Sequence, residues 1–214
     1  MKTVFYIIRH GESIGNFNRL FLGHTNMDLT ERGYKQADMT ADALKNVHFD
    51  VIYSSDLLRA YNTAVPNAKL RDMVIIKDKR LREIYAGRWE GMSAEDIIKK
   101  DGELFTVEWR RNFGTFRIPE GESVIEAGER FASAVKSIAE ENRDKTILIT
   151  SHAAVIRSFY CKISGFLPNE YSAKLPFPSN ASYSVVEYEN GAFHPISYSN
   201  DAHMGSLVTR IKEK

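Results

Sequence analysis

Apolar residues along this 214-residue chain recur with two different periods, and the alternation between them predicts the architecture. Three short runs, Val4 to Ile8, Asp50 to Tyr53 and Thr146 to Thr150, are β-branched or aromatic and apolar at successive positions. That is the pattern of strands buried on both faces. A weaker run, Met73 to Ile76, is a fourth candidate strand. Between these runs the period lengthens to that of a helix. Tyr34, Ala37, Ala41 and Leu44 share one helical face behind an N-cap at Thr30. Ile125, Phe131, Ala132, Val135, Ile138 and Ala139 make a longer stripe, opened by Ser123 and Glu126 at capping-box spacing. Ser93, three residues before Asp96, starts another helix on similar logic. Strands alternating with helices predict an α/β fold, a three-layer α/β/α arrangement with a mostly parallel sheet. Near the C-terminus, Ser182 to Tyr188 and Phe193 to Tyr198, joined through Glu189-Asn190-Gly191, read as a hairpin.

Composition narrows the functional classes. Hydrophobic residues make up 43% and charged residues 27% of the chain, ordinary values for a globular protein. No repeat, low-complexity tract or linker divides it, so residues 1–214 read as one domain. Lys plus Arg number 29 against 28 Asp plus Glu, for a formal net charge of +1. This balance argues against a dedicated binder of nucleic acid or of anionic membranes, and any positive site must be a local cluster. The single cysteine, Cys161, cannot form an internal disulfide. The apolar run before Arg9 is too short for the central stretch of a signal peptide, and no run approaches the ~20 residues of a membrane span. The expectation is a soluble, cytoplasmic protein.

The polar residues that follow the strands carry the candidate chemistry. The first strand ends in Arg9-His10-Gly11-Glu12-Ser13. The second ends in Ser54-Ser55-Asp56, with Arg59 one turn beyond, and the third in Ser151-His152 ahead of the apolar run Ala153 to Phe159. Ligands of open α/β sheets bind outside the carboxyl ends of the strands. Parallel neighbouring strands would bring Arg9, His10, Arg59 and His152 into one crevice. Two arginines and two histidines suit a phosphoryl group, because guanidinium offers a planar fork of donors and helix N-termini add free amides.

The remaining polar residues have plainer readings. His48, His194 and His203 are expected to be structural or solvated, and His24 lies in a loop close behind the first strand. Glu83 sits before a Gly-punctuated aromatic loop, either at a cleft edge or in a surface pair with Arg80 or Arg82; Arg88 reads as solvated. Phe105, Trp109, Phe113 and Phe116, spaced by three or four, are first a packing face. No His-Glu-x-x-His spacing supports a metal centre, and no Gly-x-x-x-x-Gly-Lys-Ser/Thr loop is present. No cofactor or metal is therefore expected.

Taken in order, these motifs resemble the histidine phosphatase superfamily, also called phosphoglycerate mutase-like. The matching blocks are Arg9-His10-Gly11-Glu12-Ser13 with Asn16, then Gly23-His24-Thr25-Asn26 through Gly33 and Gln36-Ala37. Ser54-Ser55-Asp56-Leu57-Leu58-Arg59-Ala60 with Thr63-Ala64 and Leu81-Arg82-Glu83 follow. Gly87, Trp89-Glu90-Gly91, Pro119-Glu120-Gly121-Glu122-Ser123, Thr150-Ser151-His152 and Val155-Ile156-Arg157 complete the set. One departure is visible. The family commonly has glycine after the second histidine, where this chain has Ala153-Ala154; alanine keeps the amide but resists positive φ.

The resemblance implies a phosphoglycerate mutase-like fold and assigns roles. His10 would be the nucleophile that forms a phosphohistidine. Arg9, Arg59 and His152 would clamp the phosphoryl oxygens, with Asn16, Gly23 and the amide of Ala153 as further phosphate contacts. Glu83 would be the general acid and base, its proton affinity raised by partial burial beside Trp89 and lowered by the clamp arginines. The implied activity is a phosphomonoesterase, a hydrolase of small phosphorylated metabolites. A cofactor-dependent phosphoglycerate mutase is the alternative, because both use the same intermediate. The Trp89-Glu90-Gly91-Met92-Ser93 and Pro119-Glu120-Gly121-Glu122-Ser123 stretches are similar to the broad-specificity phosphatase branch. A phosphate-binding domain without turnover is a third reading. Leaving-group choice would come from residues 101 to 118, whose Arg110, Arg111 and Arg117 either reach a second anionic group or are solvated. The chain could pair as a homodimer, although Phe159, Phe166 and Phe177 are assigned to internal packing. The tail from Val208 to Lys214 lacks a clear period and is expected to fray.

Overall fold

The apolar runs become strands where expected. In the computed structural model, which describes residues 2–170 and 174–209, the strands are β1 (Lys2–Arg9), β2 (Leu20–Phe21), β3 (Val51–Ser54), β4 (Ile75–Lys77), β5 (Met92–Ser93), β6 (Thr146–Ser151), β7 (Tyr183–Glu189) and β8 (Ala192–Asn200). The helices are α1 (Ile14–Phe17), α2 (Glu31–Ala43), α3 (Leu58–Arg71), α4 (Ala94–Glu103), α5 (Val124–Glu141) and α6 (Ala153–Ile163). The main sheet has the order β4-β3-β6-β1-β7-β8, and β2 pairs with β5 separately. The strands β4, β3, β6 and β1 run parallel, whereas β7 and β8 are antiparallel additions. This is the mostly parallel α/β sheet anticipated from the alternating pattern.

Burial of the strands on both faces shows in their alternation. Phe5, Ile7, Ile147 and Ile149 join one core with Phe131, Val135 and Ile138 of α5 and Ile156 and Phe159 of α6. Ile8, Ile52 and Leu148 join a second core with Leu44, Phe49, Ala64 and Ala68. Successive strand residues point to opposite faces, so the two cores lie on the two sides of one sheet and the arrangement has three layers. Phe159 is fully buried, and Phe166 and Phe177 pack against the first core, in line with internal packing.

Local signals mostly held, with two corrections. Ser123 and Glu126 close the capping box of α5, and the Ser93 hydroxyl accepts from the amide of Asp96 at the start of α4. Asn190 and Gly191 both have positive φ, 52° and 82°, the backbone that joins β7 to β8 in a tight hairpin. Tyr34, however, is not on the buried face of α2. It is 42% exposed and its hydroxyl donates to Asp28, while Gly33, Gln36, Ala37, Thr40 and Ala41 are buried. The fourth strand begins two residues later than Met73, because the Met73 amide closes α3 on the Ala68 carbonyl at 3.0 Å after left-handed Asp72.

No helix among the described residues is long and apolar enough to cross a membrane. At the C-terminus, Thr209 donates to Asn180 Oδ1 at 3.0 Å and its carbonyl accepts from the Asn180 amide at 3.1 Å. Thr209 is thus tied down, and the Val208 carbonyl accepts from Arg32 Nη2 at 3.4 Å; the fraying expected of residues 210–214 lies outside the described residues.

Candidate active site

The strand β1 delivers two consecutive groups to the carboxyl edge of the sheet. Arg9 ends the strand, almost fully buried, and its Nη1 donates to the Pro178 carbonyl at 2.6 Å. His10 follows, and its amide donates to the Ser151 carbonyl at 2.9 Å, which continues the ladder with β6 by one residue. The ring Nδ1 lies 2.7 Å from the Gly11 carbonyl oxygen. A carbonyl only accepts, so Nδ1 carries the proton and Nε2 is left with a lone pair. The next residue must be glycine, because a Cβ on Gly11 would sit 2.5 Å from the Gly33 carbonyl oxygen at the start of α2.

Arg59 reaches the same place from the first turn of α3. Its Nη1 and Nη2 donate to the carbonyls of Thr25 and Gly23 at 2.8 and 2.7 Å. Gly23 has φ +50°, and a Cβ there would come within 2.1 Å of Glu90 Oε1. Glu90 holds this loop by accepting from the amides of His24, Thr25 and Ala86. The Nε atoms of Arg9 and Arg59 are buried without a hydrogen-bond partner among the described residues. Burial pulls both guanidinium pKa values down to about 10, against the attraction of Glu83, so both stay charged at neutral pH. Asn16 completes this side. Its Oδ1 accepts from the Ser13 amide and from Asn180 Nδ2 at 3.2 and 3.1 Å, which fixes the amide orientation and leaves its Nδ2 as the outward donor.

The opposite wall comes from the junction of β6 and α6. His152 caps α6, fully buried, with its ring edge-on to His10 at a centroid distance of 5.2 Å. Its Nε2 lies 2.8 Å from Ser55 Oγ at the end of β3. Burial, then Arg59, then Arg9 hold His10 well below the ordinary histidine pKa. Burial, then Arg59, then His10 do the same for His152. Both rings are therefore neutral near pH 7. Ala153 and Ala154 begin α6 with ordinary helical backbone and no positive φ, so alanine is tolerated where glycine is common.

Glu83 sits over the start of α6. Its carboxylate accepts from the amides of Ile84, Ala154 and Val155 at 3.0, 3.1 and 3.3 Å, and it faces Arg9 and Arg59 electrostatically. The surface pair with Arg80 or Arg82 does not form. Arg80 pairs with Asp78 at 2.7 Å and Arg82 with Asp56 at 2.6 Å. The backbone of this segment is clamped by Arg130 of α5, whose five N–H groups all have acceptors: the carbonyls of Arg80, Arg82 and Glu83 and both oxygens of Glu122. The ring of His24 bonds the same Glu83 carbonyl at 2.8 Å, so this loop histidine does border the site.

Other expectations are corrected. Trp89, placed beside Glu83 in the sequence reading, is instead the centre of an aromatic cluster with Phe21, Phe105, Trp109 and Phe116. Its indole N–H donates to Asp101 at 2.7 Å, and Arg88, expected to be solvated, donates to the same carboxylate. Trp109 packs on Phe113 and Phe116, and Phe105 joins them through Trp89, but across a π-helical turn, Leu104–Trp109, and the turn after it rather than one regular helix. Arg110 and Arg111 are exposed, and Arg117 pairs with Glu126. His48 is exposed beside Asp50 and His194 is exposed on β8, whereas His203 is half-buried against Thr40 and Tyr183. Three supporting residues escaped the sequence reading: Ser55 had no assigned role, and neither Asn180, in an irregular loop, nor Arg130, on the polar side of α5, had a local signal.

Comparison with known proteins agrees with this geometry. The profile of the histidine phosphatase superfamily (branch 1) matches residues 5–201. Phosphoserine phosphatase 1 of Hydrogenobacter thermophilus is 32% identical over 202 residues, 94% of each chain. A "Probable phosphoglycerate mutase GpmB" of Yersinia pestis is 32% identical over 188 residues, 86% of this chain and 84% of that one. Among solved structures, Bacillus stearothermophilus YhfR superposes with a TM-score of 0.89 at 29% identity, over 94% of this chain and 99% of that one. With the match spanning the strands that build the pocket, this chain belongs to the histidine phosphatase superfamily.

Proposed function

We propose that the enzyme hydrolyses small phosphorylated metabolites through a phosphohistidine on His10. The observation that carries this reading is the bond from His10 Nδ1 to the Gly11 carbonyl, which leaves Nε2 unprotonated between two buried guanidinium groups. The Nε2 lone pair forms a bond to phosphorus as the ester P–O bond breaks, and Glu83 gives its proton to the departing oxygen. A water molecule then attacks the phosphohistidine, Glu83 takes the proton, the P–N bond breaks and inorganic phosphate leaves. Arg9, Arg59, Asn16 and His152 hold the equatorial oxygens, with the amides of Gly23 and Ala153 as further donors. Fixed donors of this kind supply most of the catalysis in phosphoryl transfer.

Brief reaction with a radiolabelled phosphate ester followed by alkaline quench should leave acid-labile label on His10. Absence of label during steady turnover overturns the covalent route. Glu83→Gln should slow alkyl phosphates far more than nitrophenyl phosphate, whose leaving group needs no proton; equal losses remove the acid role. Activity that survives a chelator supports the metal-free reading, and loss of activity reverses it. The relatives are named as a phosphoserine phosphatase and a probable phosphoglycerate mutase, so small phosphorylated carboxylates head the substrate panel. The mutase reading stays alive through the second relative and is decided by scoring isomerisation of 3-phosphoglycerate against phosphate release. The reading includes a cytoplasmic location, consistent with a single buried free thiol at Cys161.

A further inference from the structure

We propose that Ser55 fixes the proton of His152 on Nδ1, so that one histidine of the pocket presents an N–H donor to the phosphoryl group while the other presents a lone pair. The inference rests on the phosphatase reading and adds the device that keeps two adjacent imidazoles in opposite roles.

The assignment follows from counting donors and acceptors around one hydroxyl. Ser55 is fully buried at the end of β3. Its Oγ accepts from the amide of Leu57 at 3.4 Å and lies 2.8 Å from His152 Nε2. No other acceptor for its hydrogen is recorded among the described residues. The other ring nitrogen, His152 Nδ1, is buried with no hydrogen-bond partner. Two arrangements are available to the neutral ring. If Nε2 held the proton and donated to Ser55, the buried hydroxyl hydrogen would have no acceptor. The bare Nδ1 lone pair would then be the one ring atom left to meet an anionic phosphoryl group. If Ser55 donates to Nε2, the hydroxyl is satisfied and the free ring atom is an N–H. The first arrangement leaves two buried polar groups unpaired, the hydroxyl hydrogen and the Nδ1 lone pair; the second leaves only the Nδ1–H, which a phosphoryl oxygen would satisfy, so the second prevails.

The two histidines are thus set by two different local partners. The Gly11 carbonyl, which can only accept, puts the proton of His10 on Nδ1 and exposes a nucleophilic Nε2. The Ser55 hydroxyl, whose hydrogen has no other acceptor among the described residues, puts the proton of His152 on Nδ1 as well, but there Nδ1 is the free end. Ser55 is a positioning residue: it acts on substrate through His152.

Long-range nitrogen–proton correlation NMR of the resting enzyme at neutral pH reads the tautomer directly, with His152 signals assigned by their loss in His152→Asn. The expected result is a protonated Nδ1 and an unprotonated Nε2. A protonated Nε2 on His152 in the wild-type enzyme overturns the proposal, whatever the turnover. In Ser55→Ala the signals should shift toward the other tautomer, and competitive inhibition by inorganic phosphate should weaken roughly tenfold. An unchanged tautomer with unchanged phosphate inhibition would also overturn it. Because the NMR measurement needs no catalysis, it separates failure of this inference from failure of the phosphohistidine route, which the labelling experiment tests.

Discussion

The pocket at the strand ends and the aromatic segment from Trp89 to Phe116 are held together by different forces. In the pocket every proposed catalytic side chain is tied by a directional bond. Arg9 is bound to Pro178, His10 to Gly11, Arg59 to Gly23 and Thr25, His152 to Ser55 and Glu83 to three amides. In the aromatic segment five rings meet at centroid distances of 5.0 to 6.2 Å, with one carboxylate, Asp101, anchoring the indole. Hydrogen bonds fix direction, and removing one misaims a group without opening much volume. Ring packing fixes area, and removing one ring opens a cavity without touching the chemistry. The pocket is therefore expected to lose rate before stability, and the aromatic segment stability before rate.

The largest expected effect tests the first half of that contrast. His10→Ala should lower turnover of nitrophenyl phosphate by at least about 10³-fold, the scale seen when a nucleophile is removed. Its thermal unfolding should stay close to wild type, and a variant that unfolds instead would merge the two regions into one. Next in size, Trp89→Ala should destabilise the protein by about 3–5 kcal/mol in urea titration, the range for deleting a fully buried aromatic side chain. The molecules still folded should keep most of their turnover rate. A large loss of rate at unchanged stability would show that the rings act in catalysis.

Acid separates the regions in a third way. His10 and His152 are held below the ordinary value of 6.5, chiefly by burial and then by Arg59. As pH falls below about 6.5 the unfolded chain takes up protons on these rings while the folded chain does not. Their contribution to stability is thus complete above that pH. It is lost on acidification toward the lower folded values, at up to about 1.4 kcal/mol per pH unit for each ring. Melting curves between pH 5 and pH 8 should show this slope, and His152→Asn should reduce it; an unchanged slope in the variant would refute the assignment. The smallest effect is expected at the exposed arginines. Arg110→Ala and Arg111→Ala should change stability by less than about 0.5 kcal/mol and leave nitrophenyl phosphate turnover near wild type. Raised KM for a substrate carrying a second anionic group, with nitrophenyl phosphate unaffected, would assign them to specificity.

Particular residues show why some features were legible beforehand and others were not. Val4 to Ile8 and Thr146 to Thr150 announced themselves, because a strand buried on both faces has to be apolar at every position. Thr30, Ser93 and Ser123 announced helix starts, because a cap is a contact within three residues of itself. Tyr34 misled because helical spacing locates a face but not its edge, and the hydroxyl found Asp28 in the solvent instead of the core. Trp89 misled because nearness along the chain to Glu83 says nothing about which way an indole turns; Asp101, twelve residues on, drew it away. Arg130 and Asn180 could not have been found, because their partners lie 8 to 170 residues distant and no local pattern marks them.

By itself the chain determined the strands, the caps and the identity of the groups at each strand end, since these depend on side-chain chemistry and on neighbours a few positions away. Only the tertiary structure decided which nitrogen of His10 and of His152 is free, how Glu83 is mounted and what surrounds Trp89. Proton position and side-chain direction are set by hydrogen-bond partners that arrive from other strands and helices, and those partners meet only once the sheet has brought its carboxyl ends together.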